Sequence, residues 1–211
     1  MNFTNKDGVL IVKDIIEAIQ NNKDYLSEID GAIGDGDHGI NMNKGFTMAL
    51  EELNENDNMS SGFQVISKTL MSKIGGSMGP LYGNFFRGFY TVSRNEEVID
   101  GVIIGEMLDK AYRNITSISP AKVNDKTLVD VLDPAIHAYH EVYQSTQKTK
   151  ESLEAMVNAS KTGLESTKQM VAKLGRASRL GERSIGHQDA GATSAQIILE
   201  TFATSAIKLL K

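Results

Sequence analysis

Apolar residues recur at intervals of three and four along almost the whole chain, a period that α-helices bury on one side. Val12, Ile15, Ile16 and Ile19 share one face of a first helix. Phe46, Ala49, Leu50 and Leu53 do so for a second, which opens just after "DHG". Phe63, Ile66, Leu70 and Ile74 make a third, stopped by Gly75-Gly76. Pro80 suits the first turn of a fourth, through "LYGNFFRGFYTV". Ile104, Met107, Leu108 and Ile115 mark a fifth, and Thr127 to Gln147 reads as a sixth with a kink expected at Pro134. Leu153, Met156, Val157, Leu164, Val171 and Leu174 give a long seventh, and Ala192 to Leu210 an eighth. No alternating stretch is long enough for a useful strand. With only three prolines and no low-complexity linker, the expectation is one all-α domain over residues 1–211.

The glycines cluster at 31–39, 75–83 and 175–191, each time between helix candidates, which suggests a site built at helix ends. The first cluster holds "GDGDHG" at 34–39, which matches the dinucleotide pattern G-x-G-x-x-G. That fold needs a buried strand ahead of the loop, and "YLSEIDGAI" is not a clear one. An EF-hand loop opening at Asp35 would need Gly at position 40 and Glu at 46, where the chain has Ile40 and Phe46. No G-x-x-x-x-G-K-[ST] occurs. What remains is a phosphate site bridged by metal. Asp30, Asp35 and Asp37 place three carboxylates within eight residues, and hard Mg²⁺ prefers such oxygen ligands. Two Mg²⁺ would offset roughly four negative charges, about what nucleotide phosphates carry. His38, Gly39 and Asn41 then open the second helix, whose free N–H groups and dipole favour an anion.

The second cluster, "GGSMGPLYG", offers Ser77 and nearby backbone as phosphate donors. The third, "GRASRLGERSIGHQDAGATS", carries Arg176, Arg179, Arg183 and His187, and arginine suits multidentate phosphate contacts. Asp133, His137 and His140 could share a helix face, a weaker pattern that solvated histidines also satisfy. The net charge of −5 argues against a nucleic-acid scaffold. The absence of cysteine excludes disulfides, thiolate catalysis and zinc–thiolate sites. "MNFTNKDG" has no basic leader pattern, and "GVLIVKDII" is broken by Lys13 and Asp14. No membrane attachment and a cytoplasmic location are therefore expected.

At "IGDGDHGINMNKGF", "GGSMGPLYG", "DKTLVDVLDP" and "GRASRLGERSIGHQDAGATS" the chain strongly resembles the L subunits of bacterial dihydroxyacetone kinases, over essentially its full length. The resemblance implies a barrel of eight antiparallel helices with a nucleotide, ADP or ATP, at one end. It implies Asp30, Asp35 and Asp37 as ligands of two Mg²⁺ ions. His38, Gly39, Ile40 and Asn41 correspond to phosphate contacts, Ser77 and Met78 to the second glycine loop's contacts, and Leu128 to an apolar position near the base. Arg176 corresponds to a nucleotide-binding arginine, and Asp189, Ala190 and Gly191 to the closing loop. Met78 replaces a commoner hydroxyl residue, "KVNDKT" with Asn124 replaces a commoner Pro-Gly, and Ala190 replaces a usual proline. In the family the acceptor dihydroxyacetone sits on a separate K subunit. In phosphotransferase-system versions a phosphohistidine donor protein recharges the nucleotide, which is retained as a cofactor; in others free ATP is the donor. This chain has no length for a sugar-binding part, so it is expected to be incomplete without the K subunit. An ATP-dependent triose or tetrulose kinase subunit, the nucleotide domain of a fatty acid kinase and a nucleotide-loaded regulator docking on a transcription factor are the competing readings. A homodimer is compatible with the sequence.

Overall fold

Nine α-helices make up most of the computed structural model, which describes residues 1–211. They are α1 (Val9–Asn21), α2 (Lys23–Ile33), α3 (His38–Glu52), α4 (Met59–Lys73), α5 (Met78–Ser93), α6 (Gly101–Ile118), α7 (Val129–Thr146), α8 (Thr149–Ser166) and α9 (Ala190–Leu209). Strands β1 (Asn2–Thr4) and β2 (Val98–Asp100) form a short antiparallel pair with Phe3 opposite Ile99. The all-α class is as expected, with two differences in the helices. The segment Lys23–Ile33 is a helix that periodicity did not register, because it buries only Leu26 and Ile33. The expected seventh helix, drawn through Leu174, stops at Ser166. Two 3₁₀ segments, Thr167–Gln169 and Arg176–Ser184, follow before α9.

Local chemistry sets the starts. Asn58 and Ser61 form a reciprocal capping box at α4, with Asn58 Oδ1 accepting from Ser61 N–H at 2.8 Å and Ser61 Oγ from Asn58 N–H at 3.0 Å. Asp100 caps α6 through the Ile103 N–H at 3.0 Å, and Asp189 caps α9 through the Ala192 N–H at 2.8 Å.

α1 packs on α3, and each of α3 to α8 packs on the next helix; α9 packs on both α8 and α1. α2 lies against α3 and α9. One continuous apolar cluster of 42 buried residues fills the interior. Its centre is aromatic: Phe46, Phe63, Phe86, Phe89 and Phe202 come from α3, α4, α5 and α9, with Phe63 stacked on Phe86 at 5.6 Å between centroids. At α7, Pro134 has no N–H to give the carbonyl of Asp130, and glycine at position 163 lets α8 approach that carbonyl closely. No helix is long and apolar enough to cross a membrane.

Candidate functional site

The N-terminal turns of α3, α5 and α9 are tied together by side chains. His38 Nε2 lies 2.8 Å from Ser194 Oγ, and Ser194 Oγ is also hydrogen-bonded to the Tyr82 hydroxyl. Tyr82 donates as well to the Gly191 carbonyl at 3.0 Å. Burial pushes the His38 imidazolium equilibrium down to about 4, so its ring is neutral near pH 7, and the residue is only 7 % exposed.

The aspartates sit at the head of this arrangement. Asp30 lies in the last turn of α2, and Asp35 and Asp37 lie in the connection to α3. Their carboxylate oxygens gather within 4.8 Å of one another. Asp30 Oδ2 accepts the His38 backbone N–H at 3.3 Å, and Asn41 N–H donates to the Asp37 carbonyl at 2.9 Å. The connection turns through Gly36 at φ +76°, a conformation that favours glycine. Gly39 is equally constrained: a Cβ there would collide with the Lys23 carbonyl and Ser27, so α3 can start this close to α2 only without a side chain. Ile40, next in line, is 53 % exposed beside the cluster.

Such a set of carboxylates calls for a cation. Burial raises the Asp37 carboxyl above its ordinary value, Asp35 and Asp30 raise it further by repulsion, and Arg176 draws it down. The Arg176 guanidinium is paired with Asp35 and lies 4.0 Å from Asp37 Oδ2. All the convergent side-chain donors are hard carboxylate oxygens, a set that fits Mg²⁺. Arg176, the candidate nucleotide-binding arginine, lies against the aspartates and offsets part of their charge.

The remaining expected positions fall around this centre in part. Ser77 precedes α5, is exposed, and its hydroxyl makes no capping bond. Met78 begins α5 and packs partly against the core. Leu128 is buried at the start of α7, with Gly191 of α9 beside its backbone. Asp189, Ala190 and Gly191 form the start of α9. Burial raises the Asp189 carboxyl to about 6, against the opposing pull of the Ala192 N–H and Lys126. Asp133 and His137 meet, with His137 Nδ1 3.5 Å from Asp133 Oδ2, but His140 does not join them. His140 Nε2 instead meets Asp109 at 2.8 Å, and Asp133 accepts from Tyr112 at 2.7 Å.

Sequence reasoning missed four side chains. Tyr82 and Ser194 lie inside the second and third glycine motifs, and Lys126 and Asp130 inside "DKTLVD". Lys126 is buried, and its ammonium donates to the Ser184 and His187 carbonyls of the third loop. Asp130 folds the preceding loop by accepting from Asn124 and Thr127 N–H. The signal available was a buried-type motif rich in charge; the partners lie far off in sequence.

A family model described as the DAK2 domain matches residues 32–204. The chain is 42 % identical over 187 residues to the PTS-dependent dihydroxyacetone kinase, ADP-binding subunit DhaL of Lactococcus lactis, covering 88 % of this chain and 89 % of that one. It is 35 % identical over 185 residues to the PEP-dependent dihydroxyacetone kinase, ADP-binding subunit DhaL of Escherichia coli, covering 87 % and 88 %. The crystal structure of the dihydroxyacetone kinase from C. freundii in complex with AMP-PNP and Mg²⁺ matches with a TM-score of 0.68 at 21 % identity. That match covers 92 % of this chain and 33 % of the larger one, so this chain spans about a third of it and the likeness is one of fold.

Proposed function

The chain belongs to the DAK2 domain family, and from that premise we propose that it is the nucleotide-carrying subunit of a dihydroxyacetone kinase. It would pass the terminal phosphoryl group of bound ATP to dihydroxyacetone held on a separate K subunit, and a phosphohistidine donor protein of the phosphotransferase system would recharge the ADP. The observation that carries this reading is the gathering of Asp30, Asp35 and Asp37 within 4.8 Å at the head of α3. Two Mg²⁺ ions on these carboxylates would offset phosphate charge and act as Lewis acids at the transferred group. The chain's own groups then divide the remaining work. At the first turn of α3 the Gly39 and Ile40 N–H groups would attract phosphate with the helix dipole, and His38 and Asn41, whose N–H groups are taken by Asp30 and the Asp37 carbonyl, would border it. Ser77 and Met78 at α5 border it, Leu128 and Gly191 close the base side, and Asp189 and Ala190 hold the start of α9. Arg176, beside Asp35 and Asp37, would bond phosphate oxygens with those carboxylates holding cations. His38, neutral and engaged with Ser194, orients this frame and carries no phosphoryl group. The acceptor hydroxyl receives its base from the partner that holds the sugar.

Purification without added nucleotide tests the reading. The protein should release ADP on denaturation. With its K subunit it should turn over repeatedly on the phosphorylated donor protein and about once on bound ATP. Sustained turnover on free ATP from a site that purifies empty would place the chain in the ATP-dependent branch. Absence of any Mg²⁺-dependent nucleotide binding would overturn the proposal.

A further inference from the structure

Lys126 is 1 % exposed, yet every hydrogen bond of its ammonium goes to a backbone carbonyl and none to a carboxylate. Its three N–H groups are shared among four such carbonyls: Ser184 at 2.7 Å, His187 at 2.7 Å, Thr167 at 2.8 Å and Met170 at 3.2 Å. These four lie at the two ends of one segment. Thr167 and Met170 end the chain's exit from α8, and Ser184 and His187 precede α9. Between them runs the loop that carries Arg176 to Asp35 and Asp37. The apolar anchorage of that loop is confined to its start, where Ala172 is buried and Leu174 packs partly against the core, while Ile185 near its end is 43 % exposed.

The side that presents the ammonium is itself built for the purpose. Lys126 has φ +61° and Asn124 φ +72°, both in the left-handed region that non-glycine residues seldom occupy. The Asp130 carboxylate holds this turn by accepting the Asn124 N–H and, at 2.8 Å, the Thr127 N–H. Leu128, two residues on, meets Gly191 of α9. We infer that Lys126 is a positioning residue for the nucleotide site: its buried ammonium gathers the carbonyls of residues 167–187 and thereby sets both Arg176 and the start of α9 against the aspartates. Without the cation, Thr167 keeps the Met170 N–H, but the Met170, Ser184 and His187 carbonyls converge with no donor to satisfy them, and the segment opens. Asp189 is the carboxylate whose field favours the charged ammonium, while burial disfavours it. The inference rests on the nucleotide-site reading above for its consequence, and on the hydrogen-bond geometry for its cause.

The chain has no cysteine, so Lys126→Cys provides a single thiol. Alkylating it in denaturant with 2-bromoethylamine restores an ammonium at lysine length, and iodoacetamide leaves a neutral group. After refolding, Mg²⁺–ADP affinity and amide hydrogen exchange across residues 167–189 are compared. The neutral derivative should bind roughly tenfold or more weakly and exchange faster in that segment alone. The aminoethyl derivative should recover both properties. Wild-type affinity and protection in the neutral derivative, or no recovery with the ammonium restored, would overturn the inference. Should neither derivative refold, acetylation of the wild-type protein decides. Lys126 should react slowest of the lysines, and reaction as fast as exposed Lys122 would equally overturn it. A wild-type protein that fails to bind Mg²⁺–ADP speaks against the functional reading, and the exchange comparison then still decides the role of Lys126.

Discussion

At Asp37 the charge problem of the site is concentrated in one side chain. Burial, Asp35 and Asp30 all raise its carboxyl, and Arg176 is the cation that opposes them. Replacing Asp35 and Asp37 together by Asn keeps the shape and removes two of the three convergent negative carboxylates. Mg²⁺-dependent ADP affinity in calorimetry should fall at least about a hundredfold. Undiminished binding by the double variant would remove these residues from the metal site. Asp189 poses a different case. Its carboxyl is raised from 3.8 to about 6, chiefly by burial, with Asp130 and Asp30 adding repulsion and Lys126 opposing it. The folded chain therefore holds a proton that the unfolded chain has lost between about pH 4 and pH 6. Stability contributed by this group is lost as pH rises through that window, by at most about 3 kcal/mol. Asp189→Asn keeps an oxygen for the Ala192 N–H and removes the charge. Its melting temperature should exceed the parent's at pH 7.5 and match it at pH 4. An equal difference at both pH values would exclude the buried charge as the cause.

Helix contacts give two glycines separable consequences. At Gly88 of α5 a Cβ would collide with the Ala111 backbone of α6, and at Gly39 it would collide with α2. Each change to Ala should destabilise the fold by about 1–3 kcal/mol in denaturant titration. Gly39→Ala also displaces the turn that bears Asp37 and His38, so it should weaken Mg²⁺–ADP binding, whereas Gly88→Ala should leave it intact below the melting transition. Equal affinity losses would show that the α2–α3 contact has no special bearing on the site. The same scale explains where periodicity misled. α2 buries too few apolar residues to show a stripe. The seventh helix was extended through Val171 and Leu174 because they fit the period. Yet the Thr167 and Met170 carbonyls are taken by Lys126, and the chain leaves the helix there.

On the scale of the whole molecule, the proposed function has phosphate pass through the chain's nucleotide to a partner without lodging on a side chain. Intact mass after incubation with the phosphorylated donor should show no phosphate adduct on the denatured chain. A stable adduct on His38 or His187 would overturn that. His38 is poorly disposed to carry one, being buried, neutral and bonded to Ser194. The helical period, the three glycine loops and the aspartate triad were readable from the chain because each is a matter of spacing over a few residues. So was the family resemblance, which runs through those same short motifs. The pairing of Arg176 with Asp35, the His38–Ser194–Tyr82 link and the buried seat of Lys126 were not. They join residues up to 156 positions apart, as between His38 and Ser194, and depend on how the helices pack. A lysine in a sequence reads as solvated surface; here the carbonyls that make its burial tolerable lie 41 to 61 residues away, and packing had to bring them to it.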